Sequence, residues 1–333
     1  MIAYAARRLV WALLTAFAAS IVAFLLFWSI PNVDPAYFLG GAEHGTNETR
    51  ARATEVYGLD DPLPVQYVRL MKEILNGNVE CFYGCGSLRS AFIEALPVTF
   101  SLVAGAFLLA IGTGVTLAGI CVRHLGRWQD RLITAAAAAA YSIPSLVLAA
   151  VLWGFLSHKW GLFPADGYVG LTDNPFQWFW HLLLPWIAAA VPFAGAYVHV
   201  VRASLLQAVD EDWVRTARAK GLSEKRIIRR HVLRNGLIPP VSIWGLDFSH
   251  AFGGFALYVE VIFGLPGVGL LTADTLGGLD LPPIVGLAIY LSLVVVLTSA
   301  IIDVIVAWLD PRLRGNGSPI RSSGVSGVRS VGD

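Results

Sequence analysis

The sequence predicts an all-α integral membrane protein with six transmembrane helices. Two observations predict it: how few charges the chain carries and where they sit. Only 14% of the 333 residues are charged and 56% are hydrophobic, against about 25% charged in an ordinary soluble domain. The charges gather between long apolar runs, and each run reaches the roughly 20 residues that a helix needs to cross a hydrocarbon core of about 30 Å. A net charge of +1 gives no reason to expect a nucleic-acid partner.

The runs place helices at about 9–31, 98–122, 132–157, 178–201, 238–262 and 284–308. The first follows Arg7 and Arg8, as a signal peptide would, but it is far longer than a signal's apolar core of about 7–15 residues and reads as a retained helix. The last two are interrupted only by Asp247, His250, Glu260 and Asp303. Pro97, Pro144, Pro185, Pro192 and Pro239-Pro240 are candidates for kinks.

Positive charge sets the orientation. With the N-terminus inside, the cytoplasmic side receives Arg7, Arg8, Arg123, Arg127, Arg131, the basic cluster from Arg202 to Arg234 and the Arg residues of the tail. The outside receives only Arg50, Arg52, Arg69, Lys72, Arg89 and Lys159. The positive-inside rule therefore predicts both termini in the cytoplasm, and Trp28, Trp153, Trp160, Trp178 and Trp180 then fall near outer helix ends as interfacial anchors.

An external segment, 32–94, separates the first two helices. Within it Val65 to Leu75 reads as a short amphipathic helix with Val68, Met71 and Leu75 on one face. This helix is either a cap over the bundle or a contact surface for an external partner. Cys81 and Cys85 flank Phe-Tyr-Gly in the same segment. A disulfide is chemically permitted outside the cytoplasm, and two free thiols in an apolar turn are the alternative. No second pair of ligands lies near them, so no metal site is expected. The Gly- and Ser-rich tail, 315–333, has too little apolar surface to offset its chain entropy and is expected to be disordered.

The most informative stretch is the loop 202–235. Its acidic opening, Asp210-Glu-Asp, suits the positive end of a helix dipole. Gly221 then breaks that helix, and Ser223 caps a second one bearing Ile227, Ile228, His231 and Val232. Two short helices hinged at a glycine make a projecting knob; on physics alone an ordinary basic loop against lipid headgroups is an equal alternative.

The segment Arg215-Thr-Ala-Arg-Ala-Lys-Gly221, with Leu-Ser-Glu-Lys-Arg after it and His231-Val-Leu-Arg-Asn beyond, resembles the EAA loop of permease subunits in binding-protein-dependent ABC importers of the dipeptide, oligopeptide and nickel branch. Ala5-Ala-Arg-Arg-Leu, Tyr57-Gly-Leu-Asp-Asp-Pro-Leu-Pro-Val-Gln-Tyr, Glu260-Val-Ile-Phe-Gly-Leu-Pro-Gly-Val-Gly and Leu309-Asp-Pro-Arg-Leu-Arg extend the resemblance over residues 1 to about 314. Arg215-Thr216-Ala217 replaces the Glu-Ala-Ala of the general motif, as is usual in this branch, and Cys81 to Cys85 departs from the plainer Gly-rich stretch of the family.

The resemblance implies a six-helix type I permease domain, multi-pass in the bacterial or archaeal inner membrane. It implies a second homologous permease subunit, two cytoplasmic ATP-binding subunits and an extracytoplasmic solute-binding protein as partners. Trp213, Val214, Arg215, Thr216, Ala217, Arg218, Ala219, Lys220 and Gly221 would form the coupling helix, with Trp213 as its anchor. The chain contains no Gly-Lys pair and hence no phosphate-cradling P-loop, so ATP would be hydrolysed by the partners and no cofactor or catalytic residue is expected here. Peptides are the expected cargo; nickel chelates and glutathione are alternatives within the family.

Asp247 and His250, three residues apart on the fifth helix, either line the translocation path or bond within the bundle. Glu260 is expected to fix the loop that follows it, and Asp303 to pair with a basic residue. An intramembrane enzyme would need a catalytic constellation, and there is no His-Glu-x-x-His. An ion-gradient transporter would leave the EAA-like loop without a purpose.

Overall fold

The computed structural model describes residues 10, 14–15, 17–25, 54–55, 58, 60–81, 86–228, 232–278 and 281–309. The chain is built on two long helices that run side by side in the same direction, α2 (Leu88–Arg123) and α5 (Pro175–Val209), of 36 and 35 residues. At 1.5 Å per residue they are roughly 54 and 52 Å long, well beyond the hydrocarbon core alone. Small residues let them approach: a Cβ on Gly105 would overlap the Trp186 indole, and one on Gly114 would come within 2.7 Å of the Tyr197 Cβ. Small residues at helix contacts are how membrane helices gain dispersion energy when lipid supplies no hydrophobic drive. Pro97, Pro185 and Pro192 lie inside these helices, and neither helix is interrupted at them.

The other spans are arranged around this pair. The expected helix 132–157 is not continuous. Trp128–Tyr141 (α3) stops at Ser142-Ile143-Pro144 and Ser145–Leu152 (α4) restarts, continuing as a π-helical segment Trp153–Lys159, with a bend of 91° between them. Pro144 supplies no amide donor and adopts an extended ψ of 132°, and the helix ends there to restart at Ser145. The expected helix 238–262 is likewise two helices, Ile238–Ala251 (α9) and Phe255–Phe263 (α10), bent by 52° at Gly253-Gly254 and not at Pro239-Pro240, which sit harmlessly in the first turn of α9. A last helix, α12 (Leu281–Leu309), crosses α9 so closely that a Cβ on Gly245 would overlap Ile302. By length and apolarity the described residues hold three unbroken spans, or five when each bent pair counts as one. The first expected helix is described in part, and its residues 17–25 are helical.

One end of the bundle is capped by α1 (Leu63–Asn76), a two-stranded hairpin of β1 (Glu80–Cys81) and β2 (Gly86–Ser87), and α11 (Val268–Gly277). Helix α1 packs as a cap, but on a different face from the expected one. Gln66, Leu70 and Ile74 are buried, whereas Val68 and Leu75 are exposed. The polar Gln66 can face inward because its amide donates to the Asp61 carbonyl at 2.7 Å. Tyr67 shares a 2.6 Å hydrogen bond with Ser20 of the first helix, and the Tyr290 hydroxyl donates to the Ile74 carbonyl at 3.0 Å. Trp153, Trp178, Trp180 and Trp186 gather toward the same end, and the Trp153 indole donates to the Ala165 carbonyl at 2.6 Å. Trp28, Cys85, His231, the tail 315–333 and the side chains of Cys81 and Asp303 lie outside the described residues, and with them the expectations made for each.

Candidate functional site

The opposite end carries the expected knob. Helix α5 runs on past 201 to Val209, so Arg202 is a helical residue and the loop proper begins at Asp210. Glu211 takes an extended conformation (ψ 146°) and α6 (Asp212–Ala219) follows, with Asp212 in its first turn. Helix α6 ends in a Schellman motif. Gly221, at φ +74°, donates to the Arg218 carbonyl at 2.9 Å, and Leu222 donates to the Ala217 carbonyl at 3.3 Å. A Cβ on Gly221 would meet nothing, so glycine is required there by the backbone angle and not by space. The Ser223 carbonyl then accepts from Arg226 and Ile227 to start α7 (Glu224–Ile227).

The nine residues singled out in this knob divide into two sets. Val214 and Ala217 are buried against the bundle together with Ile227 and Val232, and Trp213 is half-buried against the same core. Arg215, Thr216, Arg218, Ala219, Lys220 and Gly221 face outward. Trp213 therefore spends part of its ring rooting the helix, and the outward surface is basic and small-residued. The root is reinforced by α8 (Leu233–Gly236), whose Gly236 carbonyl accepts from Ser204 of α5 at 2.6 Å. At the foot of the knob, Val122, Arg123, Val209, Arg218, Ile227, Ile228 and Val232 line an open cleft.

Inside the bundle the polar residues are separated. Asp247 of α9 accepts from the Tyr197 hydroxyl of α5 at 3.0 Å, a bond to a residue the sequence reading had not considered. His250 is exposed, on a stripe with Pro239, Ile243 and Leu246 that no other described element covers. Glu260 is fully buried and binds the loop after it. Its carboxylate accepts from the Gly269 amide at 2.6 Å and the Leu270 amide at 3.3 Å, at the start of α11. The Gly-Leu-Pro-Gly-Val-Gly sequence follows from this. A Cβ on Gly267 would run into the Glu260 carboxyl, one on Gly269 would strike Leu257, and Gly264 ends α10 at φ +57°. Thr99 of α2 adds a bond to the Val268 amide at 2.9 Å.

Among the described residues no group of three or more His, Cys, Asp and Glu side chains could hold a metal, and Cys121 is a buried free thiol. One arrangement was missed altogether: the buried Asp130 at the start of α3 takes both prongs of the Arg202 guanidinium, at 2.8 and 2.9 Å. The signal was present as an acid just ahead of one apolar run and an Arg just behind another; Arg202 was counted only as loop charge, and Asp130 was not weighed at all.

Comparison with known proteins agrees with this architecture. Residues 110–315 match the family described as binding-protein-dependent transport system inner membrane component, and residues 1–103 match its N-terminal membrane component. The chain is 31% identical to a probable peptide ABC transporter permease of Sinorhizobium fredii, covering 93% of this chain and 99% of the relative. It is 30% identical to a glutathione transport system permease of Salmonella paratyphi A, over 94% of this chain and 99% of that one. A probable D,D-dipeptide transport system permease of Escherichia coli is 29% identical, over 93% and 98%. The inward-facing MetNI methionine ABC transporter shares the fold, with a TM-score of 0.51 and 20% identity over 67% of this chain and 96% of that chain. Helices long and apolar enough to cross a membrane, a basic knob at one end and a match along nearly the whole length lead to one conclusion: the chain belongs to the family of multi-pass inner-membrane permease components of binding-protein-dependent transport systems.

Proposed function

We propose that this chain forms half of the translocation path of an ATP-driven importer of di- or oligopeptides, and that its α6 knob is the handle through which cytoplasmic ATPase subunits drive it. The observation that carries the proposal is the division of the knob: Val214 and Ala217 lock it to the bundle while Arg215, Thr216, Arg218, Ala219 and Lys220 are presented outward. A helix rooted on one face and offered on the other transmits a push without unfolding. No P-loop sequence occurs in the chain, so the ATP is bound and hydrolysed by the partners.

The knob and both termini lie on the cytoplasmic side in this proposal, in line with the distribution of Arg and Lys. The α9 stripe of Ile243, Leu246 and His250 faces a second, homologous permease across the path, because an exposed histidine at membrane depth is stable only against protein or water. A solute-binding protein delivers the cargo to the end capped by α1 and α11. Peptides are preferred as cargo because relatives covering 93–94% of the chain are described as peptide, dipeptide and glutathione permeases.

Two measurements test this. Impermeant thiol labelling at a cysteine replacing Lys220 must modify inside-out vesicles and spare intact spheroplasts; the reverse pattern removes the proposal, since no cytoplasmic motor could then reach the knob. Reconstituted with its ATPases and binding protein, the complex must accumulate di- or oligopeptide in an ATP-dependent way in preference to glutathione or a nickel chelate. Gly221→Pro must abolish that accumulation.

A further inference from the structure

The Asp130–Arg202 pair does more than neutralise two charges. Arg202 and Gly195 are seven residues apart on α5, two turns on one face, and Asp130 and Ala137 have the same spacing on α3. The two faces meet at both points. At one, the Arg202 guanidinium grips the Asp130 carboxylate with two parallel bonds of 2.8 and 2.9 Å, and Asp130 also accepts from the Gly126 amide at 3.0 Å. The Cys121 thiol of α2 lies against the same carboxylate. At the other, α3 backbone packs directly on Gly195, where a Cβ would approach the Ala137 carbonyl oxygen to 2.5 Å. One contact is smooth backbone on glycine and sets distance only. The other is a planar two-pronged fork and sets register, which a single point charge would not do.

Helix α5 is joined to the α6 knob by only Asp210 and the extended Glu211, and α3 ends at the 91° break before α4. We infer that Asp130 and Arg202 are positioning residues of the transport cycle: they lock α3 in register with α5, so that a displacement of the knob reaches the break between α3 and α4. The inference rests on the proposed coupling of the knob to an ATPase. With the pair removed, Gly195 still holds α3 close, but α3 can slide along α5 and the displacement is lost between them.

The test uses the complete complex with its ATPase subunits in proteoliposomes. Spin labels are carried on p-acetylphenylalanine at positions 132 (α3, exposed) and 211 (exposed, at the root of the knob just ahead of α6 and outside its outward face), leaving the native cysteines in place. Their separation is measured without nucleotide and after trapping with ATP and vanadate. In the otherwise native chain the separation stays constant to within about 2 Å, the scale of switching helix shifts. In Asp130→Asn/Arg202→Gln, which leaves no unpaired charge behind, it changes by more than that on trapping, while ATP hydrolysis stays within about two-fold, the few tenths of a kcal/mol by which one modest contact alters a barrier. Asp130→Glu, which keeps the charge pair, restores the constant separation. A double variant that keeps the native separation overturns the inference, as does a native chain whose separation itself shifts on trapping. Failure of the ATPase subunits to bind the chain at all sinks the coupling proposal and this inference together; ATPase binding with unaltered separations sinks only this one.

Discussion

The hydroxyl of Tyr197 on α5 donates to the carboxylate of Asp247 on α9 at 3.0 Å, and the Tyr197 ring is seated there because Gly114 of α2 lets its Cβ come close. Three helices are thus joined through one phenol. The ring is almost fully buried and also packs against Phe107, Phe193 and Trp244, with centroids 6.4, 6.1 and 5.8 Å away.

Removing only the hydroxyl, in Tyr197→Phe, keeps that packing and orphans the carboxylate. Asp247 is half-buried, so the cost is expected toward the lower end of the about 1–3 kcal/mol of an unsatisfied buried acceptor. Thermal unfolding of the complex in detergent is expected to show the loss, and Tyr197→Phe/Asp247→Leu to recover most of it. A Phe variant as stable as the parent would mean the bond is not made.

Gly105→Ala should behave as overpacking, because its new methyl occupies the position of the Trp186 indole. The expected cost is about 1–3 kcal/mol. Its diagnostic is second-site relief: Trp186→Leu destabilises alone by opening a cavity, and combined with Gly105→Ala it should be less harmful than the sum. Simple additivity would show that the two do not touch.

At Glu260 the two obvious variants should separate. Glu260→Gln keeps an oxygen able to accept from Gly269 and Leu270, whereas Glu260→Ala strands both amides in a buried site. Backbone amide exchange at Gly269 and Leu270 should be little changed in the first and at least tenfold faster in the second, the response to about 1.4 kcal/mol of lost local stability. Equal exchange in both would show that the loop is held by something else.

The hinge of the knob predicts a ranking instead of a single value. At φ +74° with open space around it, Gly221 is limited only by backbone preference. Gly221→Asn should be tolerated best, Gly221→Ala should cost about 1–2 kcal/mol, and Gly221→Val more. Protease sensitivity of α6 in the assembled complex, read as cleavage rate, should follow the same order. Val tolerated as well as Asn would mean the left-handed turn is not adopted.

Much of this was legible from apolarity and charge, and the parts that were not share a cause. Apolar runs mark where a helix must meet lipid, and they do not mark where it stops. Helix α2 therefore starts at Leu88, ten residues before the run suggested, and α5 carries on to Val209. Breaks inside an apolar run are equally quiet. Pro144 ends a helix while Pro185 and Pro192 sit within one, because only neighbouring helices decide whether the missing amide is tolerated. Gly221 was legible because a glycine between two amphipathic stretches has a local meaning. Asp130, Arg202 and Tyr197 were not, since their partners lie 72 and 50 residues away and no spacing rule reaches that far. The face of α1 was misjudged for a related reason: Gln66 is polar by type but buried, its amide bonded to a carbonyl only five residues back.

The unbroken length of α5 has a mechanical consequence. A rod of 35 residues, roughly 52 Å, that joins the knob at one end to the aromatic-rich end of the bundle converts angle into travel. Rotation by about 5° about its middle would carry each tip some 2 Å in opposite directions, enough to re-seat an interface without breaking a single backbone bond within it. A small stroke delivered on one face of the membrane would thus arrive on the other face as a matching stroke of opposite sense, which is the geometry that opening one side while closing the other demands.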